Sequence, residues 1–113
     1  MGRSSLVALT VTVGLNWGQP ASVGGFWSGN DLYHYCVGST AQHEVCVAYI
    51  LGVVDTDDIV RASTGRPRCL HEGVQAEQLG DIVSRFLVDH PEQRVWPAAG
   101  LVAYSVQQGL GCR

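Results

Sequence analysis

Four cysteines, Cys36, Cys46, Cys69 and Cys112, are spread along a chain of 113 residues, and no two of them lie within four positions of each other. What that spacing permits depends on the compartment. A structural zinc site needs a C-x2-C pair or clustered histidines. His34, His43, His71 and His90 are scattered and form no H-x3-H pair, so the cysteines do not read as metal ligands and no cofactor is expected.

The N-terminus points to an oxidising compartment instead. Arg3 is followed by the uncharged run Leu6 to Leu15, which Gly18, Pro20, Ala21 and Ser22 then break. A short positive region, an apolar run and small residues are the layout of a secretory signal peptide. The run is too short to cross a bilayer, which takes about 20 apolar residues. A buried β-strand is the other reading of LVALTVTV. Residues 1–25 are therefore expected to be a signal peptide and short linker, with residues 26–113 as one domain outside the cytoplasm. About 90 residues make a small core. Two disulfides are the expected reinforcement.

Four helical segments can be read in that domain. The first ends near Cys36, and Ser28 or Asn30 can cap it by taking an orphan backbone N–H. The second runs from about Ala41 to Ile59 behind a capping-box pattern, Ser39-x-x-Gln42. Val45, Cys46, Tyr49, Ile50, Val53 and Val54 share one of its faces, and Gly52 suggests close packing against a neighbour. From Thr56 to Gly73 the pattern dissolves into a polar surface loop that includes Asp57, Asp58 and Arg61, with a continuation of the helix at its start as the other reading. The third helix spans about Gln75 to Asp89, with Leu79, Ile82, Val83, Phe86 and Leu87 as an amphipathic stripe. Pro91 stops it. The fourth starts after Pro97, a residue suited to a first helical position. The fold class is all-α, a small bundle of four helices stapled by two disulfides.

Helix placement bears on the pairing. Cys36 and Cys46 meet if the first two helices form a hairpin. Cys69 precedes the third helix and Cys112 follows the fourth, so this pair closes a second hairpin. A closed loop of that size contributes around 4 kcal/mol on the chain-entropy model. The other two connectivities, Cys36–Cys69 with Cys46–Cys112 and Cys36–Cys112 with Cys46–Cys69, remain open.

Charge and motif exclude much else. The net charge is −3 and every basic residue is an arginine, which gives no electrostatic reason to bind nucleic acid or anionic lipid. No phosphate-binding glycine loop, G-x-S-x-G or H-E-x-x-H is present, and with every cysteine spoken for no thiol nucleophile remains. The chain does not read as an enzyme. A binding surface is the better candidate, and the connection His90 to Pro97 offers one. It places Glu92, Gln93, Arg94 and Trp96 between two prolines, and Arg and Trp are frequent at interface hot spots. Trp96 alone reads more simply as a lid tucked under the helices, with Glu92, Gln93 and Arg94 turned outward.

Five ordered motifs carry a resemblance. They are G-N-D-L-Y-x-x-C (Gly29 to Cys36), C-x-x-Y-I-x-G-V (Cys46 to Val53), C-x-x-E-G-V-x-x-x-Q-L (Cys69 to Leu79), H-P-E-Q-R-x-x-P-A-A (His90 to Ala99) and the terminal Cys112. As a set they resemble the Rap/Tai family of type VI secretion immunity proteins. The resemblance implies a periplasmic, disulfide-bonded helical domain, often a homodimer, that binds and blocks a peptidoglycan-cleaving amidase effector. It also implies that a protruding loop plugs the effector's catalytic cleft, and Glu92 to Trp96 match that loop. Gln75 stands where family members tend to carry a Ser or Thr cap, which predicts a weaker start to the third helix. A small periplasmic stress chaperone or adaptor is the alternative reading. The scarcity of charge clusters for acid-triggered opening weighs against it.

Overall fold

The structure, a computed structural model, describes residues 25–112; the signal peptide expected over residues 1–25 lies almost wholly outside them. Four α-helices follow in order: α1 (Gly29–Cys36), α2 (Thr40–Ser63), α3 (Ala76–Asp89) and α4 (Ala98–Leu110), with a 3-10 turn (Pro91–Gln93) between the last two. The described residues contain no strand, only an isolated bridge between Ser28 and Pro97. The described residues form the expected all-α bundle.

Short-range chemistry sets the helix starts. Ser28 caps α1: the Asp31 N–H donates to its Oγ at 3.3 Å, and the Ser28 N–H donates to Asp31 Oδ2 at 2.9 Å. Ser39 and Gln42 repeat this reciprocal pattern at α2, at 2.9 and 3.3 Å. Each box satisfies orphan donors that the first turn cannot use. α3 begins at Gln75 without a side-chain cap bond. Pro97 is the residue just before α4 rather than its first residue. Gly111, with φ +69°, ends α4 in the left-handed region that favours glycine.

Each helix touches the other three. Leu32 of α1, Cys46, Ile50 and Val54 of α2, Leu79, Val83 and Leu87 of α3, and Leu101, Val102 and Val106 of α4 fill the shared core. Cys36 is joined to Cys46, with Cα atoms 5.0 Å apart, and Cys69 to Cys112, at 5.3 Å. Both hairpins are stapled as helix placement favoured.

Two expectations are corrected. α2 runs to Ser63, four residues past the expected Ile59, and its last turns are not a loose polar surface. Asp58 is 5% exposed and Arg61 fully buried, because they continue the inward stripe of Ile50 and Val54. Arg61 Nε donates to Asp57 Oδ2 at 3.0 Å and its terminal nitrogen to the Pro67 carbonyl at 3.2 Å. Asp58 Oδ1 accepts the Cys69 and Leu70 N–H groups at 2.9 and 3.3 Å, and its Oδ2 accepts Arg68 Nε at 2.6 Å. Two buried polar side chains thus hold the loop that carries Cys69. Gly52 is the second correction. It packs against nothing, since a Cβ there would meet no atom within 4 Å. It opens instead onto a shallow apolar groove of about 620 Å³ between α2 and α4, lined also by Tyr49, Val53, Val60, Ala99 and Ala103.

Candidate functional site

The connection from α3 to α4 is built from short turns. The His90 N–H closes the end of α3 on the Phe86 carbonyl at 3.0 Å. Gln93 then donates to the His90 carbonyl at 3.0 Å, Arg94 to that of Pro91 at 3.3 Å, and Trp96 to that of Gln93 at 3.0 Å. The backbone is therefore bonded to itself along almost its whole length.

α1 fixes it from outside. The first N–H groups of a helix lack intrahelical partners. Here Gly29 donates to the Trp96 carbonyl and Asn30 to the Arg94 carbonyl, both at 2.8 Å. Ala98 donates to the Trp27 carbonyl at 2.9 Å. Such close approach requires glycine at position 29. A Cβ there would sit 2.5 Å from Leu101 Cδ1 and 2.8 Å from Arg94 Cα. Trp27 is itself held between Tyr35 and Tyr49, with ring centroids 4.9 Å away on either side and planes nearly parallel.

The four candidate side chains divide. Glu92 is exposed, with Oε2 3.4 Å from His90 Nδ1. Its own backbone N–H, and then His90, hold its carboxyl below the usual range. Gln93 is half-buried. Arg94 is half-buried too, and turns back into the protein. Its Nε donates to the Leu87 carbonyl at 2.7 Å, and its guanidinium carbon lies 3.7 Å from the centre of the Tyr33 ring. Trp96 is 52% exposed and its neighbour Val95 71%. The tryptophan is not a lid under the helices. Its backbone is drawn inward by Gly29 while its ring stays in reach of solvent. The outward set is thus Glu92, Val95 and Trp96. Sequence reasoning passed over Val95, and over Gly29, Asn30 and Tyr33 as supports of the loop. The G-N-D-L-Y run was the available signal, and it carries all three.

Chemistry elsewhere is sparse. All four cysteines are in disulfides, so no thiol nucleophile is available. Among the described residues, no group of three or more His, Cys, Asp or Glu could hold a metal ion. No described helix is long and apolar enough to cross a membrane. The arrangement is suited to presenting a preformed, exposed loop. A family model described as Rap1a immunity proteins matches residues 28–112. No curated protein and no solved structure matches the chain.

Proposed function

The chain belongs to the Rap1a immunity protein family, and from that premise we propose that it binds and inhibits a peptidoglycan-cleaving amidase effector of a type VI secretion system in the periplasm. An immunity protein acts by binding its cognate effector, and the observation that carries the finer reading is the α3–α4 loop. Glu92, Val95 and Trp96 stand exposed on a backbone tied to itself and to α1. A loop ordered before contact loses little entropy on entering a cleft. Two disulfides support the compartment, because such bonds persist where the surroundings are oxidising. The homodimer belongs to the same proposal, and the apolar groove between α2 and α4 is the face that supports it.

The test is direct. The domain spanning residues 26–113 is mixed with purified type VI peptidoglycan amidase effectors, and release of peptide from purified peptidoglycan is followed. Stoichiometric loss of hydrolysis is expected, weakened by Trp96→Ala and Glu92→Ala. Unchanged hydrolysis at a molar excess of the domain sinks the amidase reading.

A further inference from the structure

We infer that Arg94 and Tyr33 are positioning residues, which lock the α3–α4 loop in its binding shape before any partner arrives, and that Arg94 is not itself a contact. The inference rests on the reading of this loop as the effector-binding surface. Arg94 lies in the middle of the exposed set, and its residue type suits an interface. Its Nε and guanidinium carbon are nevertheless engaged inside the molecule. Nε takes the Leu87 carbonyl at 2.7 Å, in the last turn of α3, where carbonyls have no intrahelical donor. A cation at that end is also favoured by the helix dipole. The guanidinium carbon lies over the Tyr33 ring, 3.7 Å from its centre and within the range of a cation–π contact. The Arg94 carbonyl accepts from Asn30 at 2.8 Å. One residue therefore joins α1, α3 and the loop, leaving Glu92, Val95 and Trp96 on the outer side.

If the clamp is released, only the fraction of molecules with a correctly shaped loop can bind, and apparent affinity falls by that fraction. That loss is read in association. A lost contact is read in dissociation. The two roles thus separate.

The experiment compares the native protein with Arg94→Met, Arg94→Lys, Tyr33→Leu, Tyr33→Phe and Trp96→Ala. Amide hydrogen exchange is followed at Gly29 and Asn30, the donors into the loop, and at Val83 and Val102 in the core. Arg94→Met and Tyr33→Leu are expected to speed exchange at Gly29 and Asn30 by about tenfold or more, with the core amides unchanged. Tyr33→Phe keeps the ring and behaves as wild type, and Arg94→Lys falls between. With a type VI peptidoglycan amidase effector as probe, Arg94→Met slows association and leaves dissociation unchanged. Trp96→Ala speeds dissociation and leaves exchange unchanged. Exchange at Gly29 and Asn30 that is unaffected by Arg94→Met overturns the proposal. So does an Arg94→Met protein that dissociates faster, like Trp96→Ala, or one whose core amides accelerate equally. If the wild-type protein does not bind the amidase, the effector reading fails, while the exchange data still decide whether the clamp exists.

Discussion

Asp58 shows how a single buried carboxylate organises this domain. Burial raises the cost of its charge, but the Arg68 guanidinium and the Leu70 and Cys69 N–H groups more than offset that, and the carboxyl is held below its ordinary range. A depressed carboxylate contributes stability that is fully present above its unfolded value of about 4 and is lost as pH falls through the folded value. Asp58→Asn keeps an acceptor for the backbone but faces Arg68 with an amide. It is expected to destabilise the domain by about 1–3 kcal/mol at neutral pH, since a charged bond is lost and a buried donor is left poorly matched. It is also expected to flatten the fall in stability below about pH 4. Urea unfolding of both proteins at pH 7, 4 and 3 checks the two statements together. Gly29 is the second sensitive position. Gly29→Ala drives a methyl group against Leu101 and the Arg94 backbone, and overpacking of this kind costs about 1–3 kcal/mol. The same measurement reads it, and loss of protection at Asn30 should accompany the loss of stability.

The helices differ in how well their ends are closed. α1 and α2 have reciprocal capping boxes, whereas Gln75 leaves α3 without a side-chain cap. Gln75 already has the extended backbone of a cap residue, φ −110° and ψ 153°, and its side chain is exposed. Gln75→Asp is therefore expected to stabilise the domain by about 0.5–1 kcal/mol by bonding the free N–H groups of the first turn, seen as a rise in Tm. Ser39→Ala at α2 should lower stability by about 1 kcal/mol. What the sequence revealed follows the same divide between near and far. The Ser39–Gln42 box and the α3 stripe were legible because their partners lie within a turn or two. The end of α2 was not, because Asp58 and Arg61 look like surface residues until the loop at Pro67 to Leu70 folds onto them. The exposed loop could be read from its two prolines and its position between helices. The inward turn of Arg94 could not, because it depends on Tyr33, a helix far away along the chain.

At the scale of the molecule, the two disulfides do unequal work. Cys36–Cys46 spans a separation of 10 residues, and Cys69–Cys112 one of 43. On the chain-entropy model the short bridge contributes about 3 kcal/mol and the long one about 4 kcal/mol. The long bridge encloses α3, the loop and α4, and it holds the end of α4 against the segment that Asp58 anchors. The domain has few core residues, so a loss of that size is a large part of a small domain's stability. Cys69→Ser with Cys112→Ser is expected to reduce stability by about 2–5 kcal/mol, more than Cys36→Ser with Cys46→Ser. The two losses also differ in place. Opening the long bridge frees the end of α4 and the chain before α3, so exchange should accelerate there before it does in α1. Chemical denaturation of each double variant, with amide exchange in the same buffers, gives both the size and the site of the effect. Equal losses would show that the bridges act by local packing at Cys36 and Cys46, both buried, rather than by restricting the unfolded chain.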